Sequence, residues 1–269
     1  MDSHFKIFFN ELSEDRDGGF HKVIALQDEP ELDWKSISVL APTIPKGWFE
    51  LSKLTKAERL DLVQQYWEKK MESYPDFCNF LAKFFHEVDD IGIFLTQKTV
   101  DHPFEAQMVY SLSKTSCFFR GLPPLLETQG NQLKDSFKDI IFPQDYLSFL
   151  QIHNGFFKTT DKTGLLKAEN VIKEYPKFQS YFSEDEVILT YDKEAINPKK
   201  LIPFYISFGM PFYQCFYADW YPEQEMGNVY FSLQDKIVSN LKGDTAGENL
   251  SFPTFIDWVL FYMERIVKG

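Results

Sequence analysis

Cysteine is scarce and unpaired in this chain of 269 residues: Cys78, Cys117 and Cys215 stand far apart and are odd in number. That excludes a disulfide framework and any CxxC metal or redox pair. No stretch approaches the ~18 consecutive apolar residues of a membrane helix, and Met1-Asp2-Ser3-His4 lacks the basic-then-apolar order of a secretory signal. The expectation is a reduced, cytoplasmic protein off the membrane. Basic runs are missing too. Residues 1–125 carry 14 basic and 20 acidic side chains, residues 126–269 repeat those counts, and the net charge is −12. Both halves being acidic argues against binding to a phosphate backbone, so no nucleic acid is expected. It suits a basic protein partner, and it serves ordinary solubility as well.

The motifs of catalysis are also missing. There is no GxSxG elbow, HExxH, Walker loop or GxGxxG, so no catalytic residue or cofactor is assigned. The five histidines (4, 21, 86, 102 and 153) have no ligand-like spacing, and no metal site is expected. Low-complexity tracts and internal repeats are absent, and with them the long disordered flanks of a scaffold that holds many partners.

What is abundant is aromatic: 28 Phe and 13 Tyr within a 44% hydrophobic composition, so the core should be built from rings. In the first half, Phe5–Phe9 and Val23–Leu26 read as strands around the turn signal Asp17-Gly18-Gly19. Ala41–Gly47 reads as a proline-rich loop. Thr55 and Glu58 form a capping-box pattern that opens a helix with Leu60, Val63, Trp67 and Met71 inward. After Pro75 a second helix buries Phe77, Phe80, Leu81, Phe84, Phe85 and Val88. Strands follow at 91–96, 107–112 and 116–119. Gly121-Leu122-Pro123-Pro124 marks the internal boundary, giving residues 1–125 and 126–269 as the expected domains.

The second half reads as helices near 132–140, 142–155 and 168–175. Strands are expected at 187–191, 202–207, 213–220, 229–233 and 236–240, and a capped helix over 251–267. Helices flanking a run of strands indicate an α+β fold. The run Phe142–Gly155 is the most telling, with Pro143 in a first turn, Tyr146, Phe149, Leu150 and His153 on one stripe, and Asn154-Gly155 as a helix stop. His153 reads as closing that last turn.

Four pieces in order resemble the SUKH superfamily, which includes bacterial immunity proteins and a fungal cell-wall synthesis regulator. They are the Phe142–Gly155 helix, Leu201-Ile202-Pro203 with Gly209, and Tyr217-Ala218-Asp219. The fourth is Gly227-Asn228-Val229-Tyr230 with the closing Ser251-Phe252-Pro253-Thr254-Phe255-Ile256. The resemblance covers about residues 126–267 and departs from the family where Met210-Pro211-Phe212 replaces a second glycine. It implies a curved, mostly antiparallel sheet flanked by helices, and a protein that binds protein, with immunity against a basic toxin domain as its most concrete form. A regulatory or scaffolding role, and an enzyme with its site between the halves, stay open beside it.

The candidate contact surface comes from strand alternation. Phe212, Phe216, Ala218 and Trp220 look like core, whereas Tyr213, Cys215, Tyr217, Asp219 and Tyr221 form a face of polar-tipped rings around one carboxylate, a composition suited to protein contacts. Tyr213, Tyr217, Asp219 and Tyr221 are therefore the expected partner-binding residues. Two structural alternatives stand against this: Asp219 as a turn or cap residue, and a face covered from within the chain. Burial of the tyrosines decides between them.

Overall fold

The computed structural model describes residues 20–267 apart from 113, 115–116, 159–160, 162, 208–211, 221–225 and 242–249. The strand expected at Phe5–Phe9 and the turn at 17–19 lie outside the described residues, as do Gly209 and Tyr221. The chain divides into two compact units, one of the residues up to Pro124 with Ile266–Gly269, the other Leu125–Arg265.

In the first unit, β1 (Lys22–Ala25), β2 (Asp90–Gln97), β3 (Glu105–Leu112) and β4 (Cys117–Gly121) pair antiparallel in chain order. Two short helices, α1 (Trp34–Leu40) and α2 (Lys46–Ser52), occupy sequence that shows little helical pattern. The expected loop at 41–47 therefore ends early, with Pro45 leading straight into α2. Helix α1 escaped notice because only Ile37 is buried on it; Asp33, accepting from the Ser36 N–H at 2.8 Å, supplies its start. Helix α3 (Lys56–Lys70) begins at the Thr55–Glu58 capping box, and α4 (Pro75–Glu87) has its proline in the first turn.

Trp67 of α3 anchors this core. Its ring meets Phe77, Phe84, Phe85 and Tyr110, and its indole N–H donates to the Tyr110 hydroxyl at 2.9 Å. Arg59 enters the same interior. It donates to the Leu54 carbonyl (2.6 Å), the Ile91 carbonyl (2.9 Å) and the Asp90 carboxylate (2.7 Å), one bond from each guanidinium nitrogen.

The second unit comprises α5 (Glu127–Ser136), α6 (Gln144–Leu150), β5 (Phe156–Lys158), β6 (Gly164–Leu165), α7 (Ala168–Gln179), β7 (Ile188–Thr190), β8 (Ala195–Ile196), β9 (Leu201–Ile206), β10 (Phe212–Tyr217), β11 (Asn228–Ser232), β12 (Ile237–Val238) and α8 (Phe255–Val267). Its strands lie in the order β5-β6-β9-β10-β11-β12-β7-β8 and pair antiparallel, except that β12 and β7 run parallel. The protein is α+β, with mostly antiparallel sheet flanked by helices, as expected. A register shift between Gln214 and Cys215 marks a bulge against β9.

Four helix ranges differ from expectation: α5 runs Glu127–Ser136 rather than near 132–140, and three others differ for local reasons. Helix α6 is shorter than 142–155: Pro143 precedes it as an extended cap residue, it ends at Leu150, and Gly155 turns the chain with φ 109°. Helix α7 runs through Pro176 to Gln179. Helix α8 starts at Phe255 because the preceding residues are bound elsewhere. The Ser251 hydroxyl pairs with that of Ser239 (2.6 Å), Phe252 bridges Asn228, and Thr254 is the residue that accepts from the Asp257 N–H (3.1 Å).

Candidate functional site

Strand β10 is buried on both faces, which settles much of the expected tyrosine surface. Tyr213, Cys215 and Tyr217 point toward the α7 side and share a cluster with Phe178, Val229 and Phe231. The Phe178 ring meets Tyr213 edge-on at 5.0 Å and Phe231 at 5.3 Å. Tyr213 is 4% and Tyr217 7% exposed, so neither ring is available to a partner. The Tyr213 hydroxyl donates to Glu174 on α7 at 3.4 Å, the internal pairing that was the alternative to a contact surface. Burial pushes the Tyr217 phenol above its ordinary value, and the negative charges of Asp219 and Glu194 add to the rise. Of the expected contact residues, Asp219 is exposed, 3.3 Å from the Lys200 ammonium with both side chains about half accessible. An ion pair at such exposure is worth little.

The opposite face carries the rest of the core. Tyr146 and Phe149 of α6 and Phe255 and Trp258 of α8 close over Phe204 and Phe216, whose rings lie 4.3 Å apart. Here the polar residues of the four sequence pieces take up structural work. Asp145 accepts from the backbone N–H of Tyr146 (2.8 Å) and of Ile256 (3.0 Å), placing a carboxylate at the N-terminus of α8, where negative charge is favoured. Burial raises its pKa, while those N–H donors pull it back. Asn154 accepts from the Ala168 N–H (2.8 Å) at the start of α7 and donates to Glu169 (3.2 Å). Asn228 donates to the Thr254 carbonyl (2.9 Å) and accepts from the Gln214 amide (2.8 Å), which also reaches the Leu250 carbonyl (2.9 Å). Gly227 is required by contact, since a Cβ there would fall 2.5 Å from the Trp220 ring. His153 is buried and stacks on Phe156, and its backbone N–H closes the helix end onto the Phe149 carbonyl at 3.0 Å.

One polar cluster escaped the sequence reading. The buried Asp161 carboxylate accepts from the Tyr262 hydroxyl and from Tyr205 (3.1 Å). The Lys158 N–H donates to the Tyr262 oxygen (2.9 Å), and its ammonium lies over the Tyr262 ring at 4.9 Å. Burial raises the pKa of Asp161. It also raises that of Tyr262, whose hydroxyl both donates and accepts, so the group joins the β5–β6 connection to α8. Nothing in the sequence brings Asp161 to Tyr262 except the fold.

Residues 131–260 match the SMI1 / KNR4 family (SUKH-1). This region belongs to the SUKH superfamily. No curated protein and no solved structure matches the chain. Membership is consistent with an immunity or a regulatory role and with interaction between proteins. It also gives the sequence pieces a common meaning, because Asp145, Asn154, Asn228 and Gly227 each fasten one element of the SUKH domain to another. Among the described residues, no three His, Cys, Asp or Glu side chains gather where they could hold a metal ion, and no helix is long and apolar enough to cross a membrane.

Proposed function

We propose that the chain is a non-enzymatic protein-binding module, its SUKH domain acting in the cytoplasm as an immunity protein against a cognate toxin with a basic surface. The family match supports this. The observation that carries it is how the polar residues of the family region are used. The side chains of Asp145, Asn154, Gln214 and Asn228 are bound to backbone groups that open or precede helices, an arrangement that builds a scaffold rather than a reacting centre. The net charge of −12 supports a basic partner, since opposite fields speed encounter and select against wrong partners.

Co-expression tests it. The full chain is produced with the toxin domain encoded in an adjacent reading frame, and growth and complex formation are measured. Rescue with a co-purifying complex is expected. Absence of both with every neighbouring toxin would overturn the immunity reading.

A further inference from the structure

The α7 side of the SUKH sheet is filled, but among the described residues its other side is covered only in part. Helices α6 and α8 lie over β9 and β10. Toward the β12-β7-β8 end, the side chains on the same side as Phe216 come back into solvent. Val187, Leu189 and Tyr191, in and immediately beside β7, alternate and are 58%, 45% and 55% exposed, while Ile188 and Thr190 between them are buried. Ile237, opposite Leu189 in the register, and Tyr230 are half-buried on this side. Burial raises the pKa of the Tyr230 phenol, with smaller contributions from Tyr191 and Asp235. Single exposed apolar residues need no explanation, but a contiguous shelf of them marks a contact surface.

We infer that this shelf of Val187, Leu189, Tyr191, Tyr230 and Ile237 is the docking surface for a basic protein partner that inserts an apolar anchor. The inference rests on the protein-binding reading above and names the surface it uses. Charge selects the occupant. Residues 183–195 carry five acidic side chains and a single basic one, Lys193. Glu184, Asp185, Asp192 and Glu194 are all exposed around the shelf. The nearby Lys236 is held by Glu186 at 2.6 Å, so it does little to neutralise the rim. A second copy would bring acid against acid, whereas a basic partner gains at the rim and buries its anchor at the centre.

The shelf is also firm. The β7–β8 turn is tied by the Glu194 N–H to the Thr190 hydroxyl (3.0 Å) and by Asp192 N–H to the Asn240 side chain (2.8 Å), so little ordering is lost on binding. Addition of a partner strand at the edge is disfavoured. Strand β8 is two residues long and is followed closely by Pro198, which has no N–H to offer.

The test uses the full chain, isotope-labelled, and a synthetic peptide of alternating lysine and leucine, with its glutamate–leucine counterpart as control. Amide shifts are expected to change at Val187, Leu189, Tyr191, Tyr230 and Ile237 with the basic peptide only. Leu189→Asp should weaken binding roughly thirtyfold, the loss typical of a central anchor contact. Tyr191→Glu is a second variant, and unchanged thermal midpoints in both would show that the fold is kept. Shift changes elsewhere, undiminished binding by both variants, or a dimer that Leu189→Asp dissociates would each overturn the inference. The toxin assay separates the two readings. Rescue that survives Leu189→Asp removes the shelf and keeps the immunity role. Peptide binding at the shelf without rescue by any neighbouring pair removes the immunity role and keeps the shelf.

Discussion

Asp145→Ala should destabilise the SUKH domain by about 3 kcal/mol. The carboxylate accepts from two buried backbone donors, at 2.8 Å from Tyr146 and 3.0 Å from Ile256. A buried donor left without a partner costs about 1–3 kcal/mol, so the pair accounts for most of the loss. Removing the negative charge from the N-terminus of α8 adds roughly 0.5 kcal/mol. Relief of the burial that raises the Asp145 pKa offsets a comparable amount. Asp145→Asn keeps one accepting oxygen and turns an amide donor toward the other N–H, so it should cost about half as much. Urea unfolding read at Trp258 is the assay, because that ring is 4.9 Å from Phe204 and 5.1 Å from Tyr262 and senses the docking of α8. Fluorotryptophan labelling separates its signal from those of Trp34, Trp48, Trp67 and Trp220. If Asp145→Ala costs under about 1 kcal/mol, or leaves the Trp258 transition unmoved, the carboxylate does not hold that helix and the reasoning fails.

Other perturbations follow from the same contacts. Asp161 is buried and its pKa lies above the ordinary 3.8, so between that value and the raised one the native state keeps a proton the unfolded chain has released. Its contribution to stability therefore falls as pH rises through that window, and urea midpoints of wild type minus Asp161→Asn should decline across it; a difference that climbs with pH would reverse the sign. Gly227→Ala places a Cβ against the Trp220 ring and should cost about 1–3 kcal/mol. Near-ultraviolet dichroism would register the displaced indole, and an unchanged spectrum would count against the contact. Arg59→Ala leaves the Asp90 carboxylate buried without its cation and should cost about 3–5 kcal/mol in the first unit, measured by urea unfolding. A smaller loss in Arg59→Ala than in Arg59→Met would contradict that account, since methionine at least refills the volume.

Local rules carried the sequence reading a long way. Thr55 with Glu58, Pro75 before a phenylalanine stripe, and the short apolar runs around Val109 and Val229 are short-range patterns, and the elements they mark are present. Strands β5, β6 and β8, of two or three residues, are too short for any periodicity to show. The candidate surface illustrates a different limit. Alternation sorts Tyr213 and Tyr217 onto one face but cannot say that α7 will bring Phe178 onto it, while the exposed apolar residues are at and beside β7, whose apolar run reads in isolation like ordinary core. Asp145 and Asp161 were opaque for a related reason, because each meets its partner more than a hundred positions later in the chain.

That separation bears on how the protein is made. Tyr146, Phe204 and Phe216 acquire their cover only when Phe255 and Trp258 arrive. On a ribosome, the aromatic interior of the SUKH domain stays open until α8 has left the exit tunnel. A nascent chain stalled near residue 250 would present those rings to chaperones, and release of α8 would act as the catch that ends that exposure.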